Sequence, residues 1–148
     1  MTLQGDYEPS TSAWVRKQVA TYEASGGARG NTIQGLPIVV ITSRGARSGK
    51  LRKNPVMRVE HDGVYAAVAS RGGAPEDPEW AHNFRADPHV DLQDGPEPAS
   101  YVARELAGDE RARWWERSVA AFAPYASYQE KTDRLIPVFL LERAEDGS

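Results

Sequence analysis

Cysteine is absent from the chain, which excludes a disulfide framework, thiolate catalysis, cysteine-ligated zinc and iron–sulfur clusters. Such a fold must hold by packing alone, which suits a reducing compartment. Long apolar runs are also missing. No stretch approaches the ~18 residues needed to span a bilayer, and residues 1–13 lack a basic start followed by an apolar segment. The expected address is therefore the cytoplasm. The three histidines, His61, His82 and His89, have no partners at metal-ligand spacing, so neither a metal site nor a serine–histidine–aspartate assembly is expected. The last absence is local. Between Ala24 and Val59 there is no aspartate or glutamate, while Arg29, Arg44, Arg47, Lys50, Arg52, Lys53 and Arg58 all fall there. All 21 acidic residues lie outside this segment, and the net charge is -3. A domain that is acidic overall yet locally basic points to a small anionic partner rather than a nucleic acid.

At 148 residues the chain fits one domain with one core. Residues 1–11 read as a flexible arm, 12–143 as the folded domain and 144–148 as a tail. Ser12 caps an expected helix running to about Ser25, with Val15, Val19 and Tyr22 on one face beside Trp14. Leu36–Ile41 is a continuous, largely β-branched apolar run of the kind buried on both faces. Asp62-Gly63 between apolar runs marks a tight hairpin. Asp77-Pro78 reads as the start of a short helix, with Asp77 as its cap. Two half-buried strands flank Gly95–Pro98, a helix runs from Asp109 to about Phe122 with Pro124 stopping or bending it, and a last strand spans Ile136–Leu141. Hairpins without a repeating strand–helix unit predict an α+β fold: a small, mostly antiparallel barrel of about six strands with peripheral helices.

Gly45-Ala46-Arg47-Ser48-Gly49-Lys50 has three residues between its glycines and Leu51 after the lysine. A P-loop needs four residues there and Ser or Thr after the lysine, followed by a helix. Nucleotide triphosphate hydrolysis is therefore not expected, although glycine-borne amides beside several cations still suit a phosphate or carboxylate. The cations from Arg44 to Arg58, with no acid among them, repel one another unless an anion sits between. A second glycine element, Ala69-Ser70-Arg71-Gly72-Gly73, ends a predicted strand and brings together a hydroxyl, a cation and free amides.

These loops, with Val19–Gly27, Thr42–Arg52, Val68–Gly73 and Pro78–Phe84, resemble the deazaflavin-dependent nitroreductase family of actinobacteria. Members of that family bind coenzyme F420 in a split β-barrel related to flavin-binding oxidase barrels. The resemblance covers nearly the whole chain. It implies that Arg47, Ser48, Lys50, Arg52 and Lys53 grip the coenzyme's phosphate and polyglutamate tail. It implies further that the deazaflavin ring lies against Pro55, Val56 and Met57 and against Ala67, Val68, Ala69, Ser70 and Arg71. Trp14, Met57, Trp80, Phe122, Tyr125 and Tyr128 fall at the substrate pocket. Arg71 replaces the lysine of the nitroimidazole-activating members, and Met57 and Phe122 stand where the prodrug-activating member has tyrosines. The implied reaction is hydride transfer from the reduced coenzyme to an apolar quinone-like, nitroaromatic or otherwise unsaturated acceptor. Tyr125 is the first choice of proton donor, followed by Tyr128, Ser70 or a water held by them. Two alternatives stay open: a barrel using flavin mononucleotide, and a non-catalytic carrier of the deazaflavin. A monomer or homodimer is expected, with at most weak contact between the N-terminal segment and a membrane surface.

Overall fold

The computed structural model describes residues 2–144. Helix α1 spans Ala13–Ala24, and the hydroxyl of Ser12 accepts the Val15 amide at its start. Strands follow as β1 (Thr32–Ile33), β2 (Leu36–Arg44), β3 (Leu51–Met57), β4 (Val59–His61) and β5 (Val64–Val68). A single tight turn, Arg71–Gly73, leads to helix α2 (Glu79–Ala86), strands β6 (His89–Gln93) and β7 (Pro98–Glu105), helices α3 (Gly108–Ala121) and α4 (Pro124–Glu130), and β8 (Val138–Arg143). The strands form one curled antiparallel sheet in the order β1-β2-β6-β7-β8-β5-β4, with β3 on the other side of β2. Strands β3 and β5 approach each other without a hydrogen-bonded ladder. The sheet therefore closes as a split barrel, the architecture the sequence implies.

The run in β2 is buried throughout because its alternate residues serve two cores. Ile38 and Val40 pack with Val19, Tyr22, Trp114, Phe122 and Tyr125 under α1, α3 and α4. Val39 and Ile41 pack with Trp80 and Phe84 of α2 and with Val90, Leu92 and Phe139. The Asp62-Gly63 hairpin forms as expected, with both residues at positive φ and His61 opposite Val64.

Several boundaries differ from the sequence reading. There are eight strands among the described residues, of which β1 and β4 are only two and three residues long. The segment Ser43–Lys53, read as an irregular interruption, is strand at both ends: β2 runs to Arg44 and β3 starts at Leu51, leaving only residues 45–50 as the loop. Pro55 is tolerated inside β3 because around it that strand pairs with β2 alone and its other side is an edge. Pro124 opens a further helix, α4, rather than only ending α3, since proline is well suited to a first helical turn. Asp77 does not cap α2, where Pro78 holds that place; its carboxylate takes Arg85 and Arg134 instead. The last strand begins at Val138 rather than Ile136.

The N-terminal arm, read as loose, lies along the first residue of β3. The Leu51 amide donates to Asp6 O (2.7 Å), and the Glu8 amide donates to Leu51 O (2.9 Å). Tyr7 forms a parallel bridge to Leu51. The arm is tied further by the Leu3 amide on Asp91 Oδ2 (2.9 Å) and by Arg44 on Gln4 O (2.9 Å). At the other end, the Ala144 amide donates to Ser100 O (2.9 Å); the rest of the expected tail lies outside the described residues.

Candidate active site

The gap between β3 and β5 opens into a cavity of about 230 Å³. Pro55, Val56 and Met57 line it from β3, Val68, Ser70, Arg71 and Gly72 from the end of β5 and the turn after it, and Trp80 from α2. Phe122, Tyr125 and Tyr128 complete the wall, with Phe122 and Tyr125 edge-to-face at 5.0 Å between centroids. A slot with aromatic and aliphatic walls and a few polar groups at one end accommodates a flat heterocycle. Tyr125 is 4% exposed, and burial pushes its hydroxyl well above the usual tyrosine range. It therefore carries its proton throughout the neutral range.

The turn that forms this cavity's polar end is held by a residue the sequence reading missed. Arg134 donates to Ser70 O (2.8 Å), Ala69 O (3.1 Å), Ala74 O (2.9 Å) and Asp77 Oδ1 (2.7 Å). One guanidinium thus satisfies three carbonyls of an irregular segment, the demand any buried non-helical backbone makes. Gly73 sets the distance to α4: a Cβ there would stand 2.7 Å from Tyr128 O and 3.1 Å from Tyr128 Cα, at a φ of +84°. Only glycine fits that approach. Arg71 itself is exposed, at a φ of +47°, and faces Glu76 at 3.5 Å.

A second cavity of about 220 Å³ adjoins the first through Trp80, which lines both. Its walls are Gly45, Ala46, Arg47, Ser48, Arg52 and Asn54 of the β2–β3 segment, Glu79 and Asn83 of α2, and Glu8 of the arm. The loop is braced internally: the Gly45 amide donates to Lys50 O (2.7 Å), Gly49 to Gly45 O (3.0 Å) and Lys50 to Ser48 Oγ (3.1 Å). Asn83, buried on α2, accepts the Ala46 amide (2.9 Å) and fixes the loop to the helix. The amides of Arg47 and Ser48 have no hydrogen-bond partner among the described residues. Two free amides, a hydroxyl and the Arg47 and Arg52 guanidinium groups give this cavity donors of the kind that suit an anion.

The structure separates residues that the sequence reading grouped. Lys53 points away from the second cavity because β3 alternates: Arg52 and Asn54 line it, while Lys53 lies on the other face, paired with Glu23 and over the Tyr7 ring. Lys50 is exposed and outside the lining. Ala67 and Ala69 are fully buried in the α2-side core and reach neither cavity. Trp14 is 58% exposed and lines a separate groove of about 750 Å³ with Lys17, Gln18 and Thr21. That groove and the ring-sized cavity share Ile33 and Gln34. The expected mutual repulsion of the basic segment is also largely relieved by distant carboxylates. Arg52 pairs with Glu8 (3.1 Å), Arg58 with Asp94 (2.8 Å) and Arg44 with Asp87 (3.9 Å), leaving Arg29, Arg47 and Lys50 without a carboxylate among the described residues.

A split barrel whose gap holds an aromatic slot beside a cationic loop has the form of a redox-coenzyme protein. The chain belongs to the family of F420H(2)-dependent quinone reductases, which matches residues 14–143. It is 30% identical over 145 residues to the F420H(2)-dependent quinone reductase Rv1261c of Mycobacterium tuberculosis, covering 89% of this chain and 97% of that one. A solved F420-H2 dependent reductase, FDR-A, is 55% identical with a TM-score of 0.68, covering 72% of this chain and 94% of that one. A second solved structure, described as a domain-swapped dimer, is 49% identical with a TM-score of 0.71 over 90% of this chain and 100% of the other. The protein is an F420H2-dependent reductase, and coenzyme F420 takes precedence over flavin mononucleotide and over a carrier role. No helix among the described residues is long and apolar enough to cross a membrane.

Proposed function

We propose that this reductase passes a hydride to a quinone-like acceptor with the coenzyme's ring in the β3–β5 gap and its phosphate and carboxylates at Arg47, Ser48 and Arg52. The observation that carries this reading is the pair of adjoining cavities, one aromatic and one cationic, with Trp80 between them. The donor set suits the group on both sides: free amides and guanidinium groups for anions, apolar walls for the ring. When bound, the reduced deazaflavin supplies two electrons as a hydride. The protein supplies the rest. Val56, Met57 and Val68 pack against a ring face and exclude water, while the turn held by Arg134 presents Ser70 at the cavity wall. Tyr125, buried and protonated, gives a proton to the oxygen that gains charge on the acceptor. The acceptor enters from the side of the Trp14 groove, which shares Ile33 and Gln34 as walls with the ring cavity.

The test is a titration with F420 at low and raised salt, followed by turnover with a naphthoquinone and a nitroaromatic acceptor. The double substitution Arg47→Gln, Arg52→Gln is expected to weaken F420 binding by about tenfold or more and to flatten its salt dependence. Tyr125→Phe is expected to keep coenzyme affinity and lose on the order of a hundredfold in turnover. Unchanged affinity in the double variant removes the tail site, and unchanged turnover in Tyr125→Phe removes the proton donor.

A further inference from the structure

The anion cavity carries a feature at odds with simple anion capture: two of its lining residues, Glu8 and Glu79, are carboxylates. Against Arg47 and Arg52 they leave the lining side chains with no net positive charge. One of them, Glu8, sits directly on a cation of the site, with Oε1 3.1 Å from Arg52 Nη1. The other paired cations of the segment, Lys53, Arg44 and Arg58, meet carboxylates on or directly beside fixed elements. Glu23 lies within α1, Asp87 at the end of α2, and Asp94 directly after β6, where it also accepts the Tyr65 hydroxyl.

Glu8 differs in both respects that matter. It comes from the arm, outside any helix or strand of the sheet, and its side chain is 43% exposed. Its backbone is nevertheless fixed beside the cavity, because its amide donates to Leu51 O. Withdrawal therefore requires only side-chain rotation, with the arm staying in place. Arg52 is half-buried and held by β3, so it stays where an incoming anion meets it.

We infer that Glu8 is an internal competitor for the coenzyme's anionic tail: its carboxylate occupies Arg52 in the free protein and is displaced by a phosphate or carboxylate of the tail. Glu8 is thereby a specificity-determining residue. A ligand with enough negative charge to displace it regains Arg52, whereas a ligand with no tail gains nothing from the exchange. Removing the carboxylate frees Arg52 and ends its repulsion of the tail. The inference rests on the tail site proposed above and extends it to what that site selects.

The experiment compares Glu8→Gln, Arg52→Gln and the double variant, each titrated with F420 and with the phosphate-free deazaflavin riboside. Glu8→Gln is expected to tighten F420 by about two- to fivefold at low salt, the range open to one exposed ion pair. Affinity for the riboside is expected to stay the same, and the gain is expected to shrink in the Arg52→Gln background. Circular dichroism of each variant checks that the arm substitution leaves the fold intact. If Glu8→Gln leaves F420 affinity unchanged or weakens it while Arg52→Gln weakens it, the competitor role is overturned and the tail site stands. If Glu8→Gln tightens F420 and the riboside equally, the effect is not on the tail and the inference also falls. If Arg52→Gln has no effect on F420, the tail site itself falls, and this inference falls with it.

Discussion

The two cavities joined at Trp80 are built by different means. The ring-sized one has a tightly tied frame: its polar turn is bonded carbonyl by carbonyl to Arg134, and Gly73 lies close against the backbone of α4. The cationic one is bounded by an exposed loop braced across its own base, by ion pairs and by an arm outside the sheet. The difference follows the work asked of each. A ring must be held to within a fraction of an ångström for hydride transfer, whereas a flexible, multiply charged tail needs field and donors more than shape. Damage on the ring side is therefore expected to appear in turnover and stability together, and damage on the tail side chiefly in affinity and its salt dependence.

The largest expected effect is at Arg134. Its side chain is 17% exposed and serves four acceptors, so Arg134→Gln leaves carbonyls of Ala69, Ser70 and Ala74 short of a donor. Loss of about 2–3 kcal/mol in urea unfolding is expected, with reduced turnover at saturating coenzyme. The salt dependence of F420 binding should match that of the unaltered protein. A change in that slope without a change in turnover would show that the two cavities are not separable.

Gly73→Ala comes next. The added methyl meets Tyr128 O at 2.7 Å in a left-handed conformation, so α4 must move away from the turn. A cost of about 2 kcal/mol is expected, again with a fall in turnover, since Tyr125 and Tyr128 ride on α4. Asn83→Ala tests the other side. It strips the Ala46 amide of its acceptor and frees the loop from α2, for about 1–2 kcal/mol. Here F420 affinity should fall while turnover at saturation holds, the reverse of Gly73→Ala.

What was legible in the sequence divides along the same line. Local determinants were readable: Ser12 as a cap, Asp62-Gly63 as a hairpin, and the β2 run as a strand buried on both faces. Residues of both cavities were also named in advance, because the strands and turns that carry them are contiguous segments. The partners of the cations were not legible. Lys53 meets Glu23 across 30 positions and Arg58 meets Asp94 across 36, so a stretch without acids looked uncompensated until the fold brought carboxylates to it. Arg134 was invisible for the same reason, since three of its four acceptors are main-chain atoms 60 to 65 positions away. Lys53 was misplaced because its segment was read as a loop, and only a strand sends neighbouring residues to opposite faces.

The smallest effect sharpens the account of the arm. Asp91 is buried, accepts the Leu3 amide through Oδ2, and has no partner for Oδ1 among the described residues. Burial raises its carboxyl above the ordinary 3.8, a rise reduced by that amide and by the charge of Lys53. The folded state therefore holds this proton more firmly than the unfolded chain does. Its contribution is most favourable below 3.8, and the penalty for the buried charge sets in as pH rises through the raised value. Asp91→Asn removes that charge while keeping an oxygen for Leu3. It is expected to raise the urea midpoint at neutral pH and to lose that advantage in acid below the ordinary carboxyl value. A gain of equal size at both pH values would mean that packing, not charge, is what Asp91 costs. A loss at neutral pH would mean that the ionised carboxylate is needed to hold the arm, and with it Glu8, against β3.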